Sequence, residues 1–537
     1  MIRWLLSLAL IASTACATSQ PPALPAPGST TPSLVVVLVV DQMRTDYIDR
    51  GLPHFTGGLR RLATEGAWFR SAAYPYLNTI TCAGHATIGT GSLPYRHGMV
   101  LNAWWDRKAG QSMPCTSDST VRNIGYTGKP AGGDSPRSLL AATFAETVRD
   151  QSGGRTFAFS LKPRSTIPVV GRGATAVVWF DDQAGWTTST AYTPTKLPWL
   201  DKYFTHNPIA ADEGRTWERT LSPSEYQGVD DGAGERSPQG WTSTFPHVLA
   251  KTVSPFTAQW QRSPFADEYL GRLAASAISE LELGRGKGID FISVSFSSLD
   301  LVGHLFGPAS HEVQDLVLRL DRTIGALLDH LDKTVGRGRY VVALSADHGV
   351  GSLPEQSEGG GRQGGPEALA AINDALVPFF GVGKYAIHSA YTDLYLAPGV
   401  RQKLEANPKA ASAVLAALKA LPAVAYAFFA SEIAGADART SSDPVRRAAA
   451  LNYYPDRSGD IIVAPKPGWM LSTTSAATHG TFYAHDQKVP VIFYGAGVAP
   501  GIRDDPSTPA DIAPTLGALV GVPFVTSDGR ALLHAGR

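Results

Sequence analysis

After Ser33 the run to Val40 (SLVVVLVV) has no polar position, and a strand that is apolar at every residue must be covered on both faces, as in the interior of a parallel sheet. The run stops at Asp41. The same shape recurs at Asp290 to Phe296 (DFISVSF), followed by Ser-Ser-Leu-Asp, and at Arg339 to Leu344 (RYVVAL), followed by Ser-Ala-Asp-His-Gly. Three buried strands are thus predicted, each delivering acidic or imidazole groups just past its C-terminal end, where open α/β sheets bind ligands. Between them the pattern changes to helical spacing, over Ala266 to Leu283 and over Ser310 to Leu331, where Val313, Leu316, Val317, Leu320, Ile324, Leu327, Leu328 and Leu331 mark one face. Strand, helix and strand in succession predict an α/β fold, a mostly parallel central sheet sandwiched by helices with right-handed crossovers. Two stretches break the rhythm and read as insertions capping the sheet edge. One, at about 106–263, is rich in Trp, Thr, Gly and Pro; the other, at about 370–466, includes an Ala-rich helix with Asn407 as cap and Pro408 at its first position. There is no internal repeat, and Gly359 to Gly361 lacks the context of a phosphate-binding loop.

The N-terminus changes the picture from an anonymous α/β protein to an exported one. Behind Arg3, the apolar stretch from Trp4 to Ala12 is too short to span a bilayer and leads into small residues, which predicts a secretory leader at 1–17 cleaved after Ala17 of the pattern Ala15-Cys16-Ala17. A lipoprotein anchored through Cys16 is the alternative; it would favour Leu three positions upstream, where Ser13 stands. Residues 18–32, mostly Pro, Ala, Ser and Thr, predict a linker. The remainder, 33–537, reads as one large domain with its insertions, periplasmic or secreted, with no transmembrane segment. Export permits disulfides. Apart from Cys16, only Cys82 and Cys115 are available, so one bridge or two unpaired thiols are the choices.

Composition narrows the partners. Lys+Arg and Asp+Glu are both 47, so the formal charge is zero, and nothing advertises nucleic-acid or acidic-membrane binding. A 43% hydrophobic content with 11 Trp and 18 Tyr excludes disorder, and the length excludes a small stapled scaffold. The chain is expected to be a monomer.

The candidate chemistry lies in Asp41, the spacing Asp300-x-x-x-His304, the pair Asp347-His348, and His479 in Thr-His-Gly. Any one of these alone is more often a turn, a cap or a hydrogen-bonded histidine. Four separated segments, three of them following buried strands, instead predict a shared metal site. Carboxylate plus imidazole suits Zn²⁺ better than Mn²⁺, Co²⁺ or Fe. The count suggests two ions, one held by Asp300, His304 and His479 and the other by Asp41, Asp347 and His348, each with an open position for chemistry. A hydroxyl for such a site is offered by Thr79 or Thr81 in NTITCAGHAT, where a small-residue segment begins a helix and the free N–H groups favour an anion.

Taken in order, DQMR with Asp41, TCAGHATIGTG with Thr81, HGMVLN with Asn102, Asp300-x-x-x-His304, ADHG with Asp347 and His348, and THGTFYAHDQKVPVIFYG with His479 resemble the alkaline phosphatase superfamily over nearly the whole exported chain. Within it, the nucleotide pyrophosphatase/phosphodiesterases and the phosphate-irrepressible (PafA-type) alkaline phosphatases share a threonine nucleophile four residues before a His. That placement selects Thr81, which would also ligate a metal, and implies Asn102 as a phosphate contact. The segment Ser160-Leu161-Lys162-Pro163-Arg164 resembles the Lys-x-Arg pair of the PafA-type monoesterases. The physics agrees, because a monoester dianion has one more charged oxygen than a diester and an Arg fork with a Lys ammonium would serve it.

The resemblance implies a two-zinc phosphomonoester hydrolase acting through a covalent phosphothreonine, with broad small-molecule phosphomonoesters as substrates. A phosphodiesterase or nucleotide pyrophosphatase of the same superfamily is the alternative. A sulfatase would need a C/S-x-P-x-R context that Cys82-Ala83-Gly84-His85-Ala86 does not provide. A non-catalytic, zinc-stabilised protein that only binds phosphorylated ligands would show a damaged ligand set or a missing nucleophile, and the sequence shows neither.

Overall fold

The computed structural model describes residues 31–525 and 528–534. The leader assigned to 1–17, with Cys16, and the linker as far as residue 30 lie outside the described residues. A ten-stranded sheet forms the centre. Its strands include Leu34–Val40 (β1), Thr156–Ser160 (β2), Ala176–Asp181 (β3), Asp290–Phe296 (β4), Tyr340–Ser345 (β5) and Val491–Gly495 (β6). β1 pairs in parallel with β4 on one side and β5 on the other. Its unbroken apolar run divides between two cores: Leu34, Val36, Leu38 and Val40 face one, and Val35, Val37 and Val39 face the other. That is the reason no polar residue is tolerated along it.

The parallel pairing continues from β4 to β2 to β3. Beyond β5, however, β6 is antiparallel, and beyond β3 so is Gly185–Ser189. The sheet is therefore parallel at its centre and mixed at its flanks. The helices that matter here are Thr81–Thr90 (α1), Pro163–Val170 (α2), Pro264–Glu280 (α3), Ser298–Phe306 (α4) and His311–Thr334 (α5). α3 and α5 bury Leu270, Leu273, Leu316, Leu320 and Ile324 on one face of the sheet, and Ile88, Ile167 and Val170 of α1 and α2 bury against the other.

Part of the segment read as an insertion at 106–263 is core sheet instead. β2 and β3 lie inside it, next to β4. The sequence hides them because they are short, TFAFS and AVVWFD, and are set among turns that dilute any period. The segment at 370–466 builds a sheet of its own, Ala386–Ala390, Asp393–Leu396, Ile461–Pro465 and Val424–Phe429, with its own core. Its helix Pro408–Ala420 starts as the sequence indicates, with the Asn407 side chain accepting from the Ala410 amide at 3.1 Å.

The first turn of α5 buries Glu312, which meets His247 Nε2 at 2.8 Å. Burial pushes Glu312 up to about 8 and His247 down to about 4, so both are neutral near pH 7. The unfolded chain ionises Glu312 near 4.5, so stability is present below that pH and is lost as pH rises through about 8. Glu312→Gln, neutral and nearly isosteric, is expected to match the parent at pH 5 and to exceed its stability by roughly 1–3 kcal/mol at pH 9, read by chemical denaturation.

Candidate active site

β1, β4 and β5 run in register, Val40 opposite Phe296 and Val39 opposite Ser345, so the residues after each strand emerge at one edge. Asp41 comes directly after β1. Asp300 and His304 stand one turn apart on the same side of α4, and Asp347 and His348 come just after β5. His479 arrives from the loop after Trp469–Met470. These residues assemble into two triads, Asp300 with His304 and His479, and Asp41 with Asp347 and His348. The triads adjoin each other: the His348 and His479 rings stack with centroids 3.5 Å apart.

Every histidine in the triads has its tautomer set by a backbone carbonyl. Nδ1 of His304 lies 2.8 Å from Ala477 O, that of His479 lies 2.9 Å from Thr79 O, and that of His348 lies 3.0 Å from Gly349 O. A carbonyl accepts at each Nδ1, which leaves each Nε2 facing the carboxylates. Burial would lower His304, but Asp300 outweighs it and raises it, so without an ion its Nε2 can carry a proton where a metal would otherwise sit. His304 Nε2 is 3.2 Å from Asp300 Oδ1, and His348 Nε2 is 3.2 Å from Asp347 Oδ2. Asp41 Oδ1 and Asp347 Oδ2 are buried with no hydrogen-bond donor. Buried carboxylate oxygens without donors, facing imidazole lone pairs, are the donor set of a divalent-metal centre, and both triads fit zinc.

The charges agree. Lys162 Nζ lies 2.6 Å from Asp41 Oδ2 and 2.5 Å from Asp300 Oδ2, joining one carboxylate of each triad. One ammonium faces three buried carboxylates. Burial, and then repulsion from Asp300 and Asp347, raise Asp41 well above the usual carboxylate range. Burial would raise Asp347 as well, but His348 and His85 outweigh it and hold it low. His348 itself is pushed down to about 3, chiefly by burial.

Thr81 is the first residue of α1, with extended backbone at Ile80 before it. Its Oγ1 lies 3.4 Å from His348 Nε2, at the meeting point of the triads. Thr79, its competitor, donates its hydroxyl to Thr481 O at 2.9 Å and is committed to the backbone. The approach of α1 depends on Gly84, where a Cβ would lie 2.1 Å from Asp347 O. Asn102 Oδ1 accepts from the Cys82 amide at 2.8 Å, which leaves its NH₂ as the remaining donor group. Arg164, in the first turn of α2, has its Nε buried without a partner, and its charge bears on Lys162. Cys82 and Cys115 are joined in a disulfide.

Three contributors escape the sequence reading. Gln42 has a left-handed backbone, φ 71°, and ties the triads together, its amide donating to Asp347 Oδ1 at 3.1 Å and its Nε2 to Asp300 Oδ1 at 2.7 Å. His85 lies with Nδ1 2.9 Å from Thr81 O and 3.2 Å from Asp347 Oδ2, and Nε2 2.8 Å from Ser295 Oγ. Tyr391, from the segment at 370–466, donates its hydroxyl to His479 O. The signal for the first two was their position beside Asp41 and Thr81. Tyr391 carried none.

Residues 35–487 match the family model for type I phosphodiesterase / nucleotide pyrophosphatase. The chain is 33% identical to the alkaline phosphatase PafA of Elizabethkingia meningoseptica over 511 residues, 92% of each chain. It is 30% identical to the alkaline phosphatase PhoV of Synechococcus elongatus, over 91% of this chain and 90% of that one. The crystal structure of wild-type PafA superposes with a TM-score of 0.85 at 31% identity, covering 94% of this chain and 98% of that chain.

After chelation, the protein is expected to take up two zinc ions per chain, counted by elemental analysis. Asp300→Ala and Asp347→Ala should each remove one of them. Uptake of two ions by both variants would show that the triads are not the binding sites.

Proposed function

The chain belongs to the type I phosphodiesterase / nucleotide pyrophosphatase family, and from that premise we propose that it is an alkaline phosphatase, a phosphoric monoester hydrolase acting on varied small organic phosphates. One observation carries the reading at the site. Thr81 opens a helix beside two Asp–His triads, and Lys162 stands between them.

Asp41, Asp347 and His348 would hold one zinc ion beside Thr81, and Asp300, His304 and His479 the other. When bound, zinc supplies Lewis-acid charge and lowers the pKa of a ligated hydroxyl or water toward about 7. Thr81 Oγ1 attacks phosphorus in line with the leaving oxygen, forming a phosphothreonine and releasing the alcohol; water then breaks the new P–O bond and frees phosphate. His348 Nε2, set 3.2 Å from Asp347 Oδ2 within its triad, would be taken up as a metal ligand rather than serve as a base toward Thr81. The first turn of α1 points its dipole at the anion. The Asn102 amide, Lys162 and Arg164 hold the transferring oxygens, and because the transition state is loose they act by position and electrostatics.

A phosphodiesterase is the second reading, which the family description keeps open. Lys162 favours monoesters: only 6% exposed and set at the triads, it presents a fixed cation where a diester would bring a carbon substituent. No helix among the described residues is long and apolar enough to cross a membrane. With the leader at 1–17, this supports a periplasmic or secreted enzyme, and we take it to be a monomer.

Thr81→Ala is expected to lower kcat by about 10³-fold or more with zinc content unchanged. Turnover at the parental rate would remove Thr81 as nucleophile. Lys162→Ala/Arg164→Ala should lower kcat/KM for p-nitrophenyl phosphate by about 10²- to 10⁴-fold and for bis-p-nitrophenyl phosphate by less than about tenfold. Equal losses on the two esters would give the pair a structural role.

A further inference from the structure

Asn102 has no regular element of its own to hold it. It precedes the hairpin strand Ala103–Asp106, which pairs with Gln111–Pro114, and Cys115 comes directly after that second strand. Asn102 and Cys115 therefore stand side by side at the base of the hairpin, where the Cys115 amide donates to Asn102 O at 2.9 Å. A two-stranded hairpin is marginal without support. Its far portion leans on the inserted unit: Trp105 stacks on His388 with ring centroids 4.6 Å apart, and Arg107 donates to Asp456 O and Ser458 O. Its base is fastened to α1 instead. The disulfide joins Cys115 to Cys82, the residue after Thr81, and the Cys82 amide donates to Asn102 Oδ1.

Three links thus close a triangle. One is covalent, one joins Cys115 to the Asn102 backbone, and one joins Cys82 to the Asn102 side chain. The covalent link sets the separation that the two hydrogen bonds span, and it does so beside the proposed nucleophile. Both cysteines are buried, at 0% and 1% exposure, so the bridge belongs to the packing around the site.

We propose that the Cys82–Cys115 bridge is a positioning element for phosphoryl transfer, acting through Asn102: it holds the Asn102 amide at a fixed place relative to Thr81. The inference rests on Thr81 being the nucleophile and Asn102 a phosphate contact. An ångström of misplacement at a reacting centre costs about a hundredfold in rate, so loosening the base of the hairpin should be visible in turnover.

The test is a double-mutant cycle of the bridge against Asn102. Cys82→Ala/Cys115→Ala, Asn102→Ala and the triple variant are compared with the parent by kcat/KM on p-nitrophenyl phosphate and by the inhibition constant of vanadate, with zinc content and melting temperature recorded. Removing the bridge in the parent should lower kcat/KM by about tenfold or more and weaken vanadate, with zinc uptake unchanged. In the Asn102→Ala background, the same removal should cost less than about twofold, because the group that the bridge positions is already gone. Equal losses in the two backgrounds would overturn the proposal by showing that the bridge acts elsewhere. So would an unchanged rate in the parent background. If the alanine pair does not fold, Cys82→Ala/Cys115→Val, which restores volume, is read in the same cycle. Parental kinetics for Asn102→Ala would remove its phosphate contact and this inference with it, leaving the hydrolase reading intact so long as Thr81→Ala is inactive. An active Thr81→Ala would overturn the hydrolase mechanism itself.

Discussion

Asp41, Asp300 and Asp347 converge in the interior with one ammonium, Lys162, among them. An isolated buried carboxylate is costly, and two of these have an oxygen with no donor at all. Left to relax, such a cluster would protonate or open. It is held by the sheet. Parallel register sets the ends of β1, β4 and β5 level, and the double-sided burial of β1 leaves that strand no room to slip. A slip of one residue would exchange its two faces and move Asp41 out of the site. Gln42 adds a local clamp, with its amide on one triad and its side chain on the other.

The same crowding of carboxylates bears on the proposed function, because an anionic substrate would need the site to gain positive charge first. In the structure the carboxylates of Asp41 and Asp300 claim Lys162. Two divalent ions, which the proposed function calls for, would add positive charge and would meet the unpartnered oxygens and the imidazoles of the triads. The backbone carbonyls that fix each Nδ1–H make the imidazoles ready as ligands, since no tautomer change is needed for Nε2 to bind. On the proposed reading fold and cofactor would be complementary: the sheet imposes the crowding, and the ions would relieve it.

Much of this was legible in the sequence, for identifiable reasons. SLVVVLVV, DFISVSF and RYVVAL announce buried strands because a strand covered on both faces leaves a continuous apolar run. The spacing of Asp300 and His304 announces a shared helix face, because four residues make about one turn. What the sequence could not convey was neighbourhood. β2 and β3 are too short to carry a period, so a stretch of core read as insertion. Gln42 and His85 stood next to predicted residues, yet nothing in their type distinguishes a clamp from a turn. The residue pattern alone leaves Thr79 and Thr81 open and the resemblance selects Thr81; the structure separates them by their hydroxyls, one meeting a carbonyl and the other His348.

The unit at 370–466 is more than a cover over the sheet edge. Tyr391 holds a left-handed backbone, φ 57°, uncommon for an aromatic residue, at the turn between two of its strands, and from there its hydroxyl reaches His479 O. Asp393, raised to about 6 by burial, accepts from Asn78 Nδ2 at 3.3 Å, and Asn78 leads into Thr79 and Thr81. Leu77 packs in the same cluster as Ile462 and Ala464. One inserted unit therefore braces both the loop that delivers Thr81 and the loop that delivers His479, from the side opposite the sheet. A change in this unit at Tyr391 would therefore also act on how His479 is held, at a distance in sequence of 88 residues.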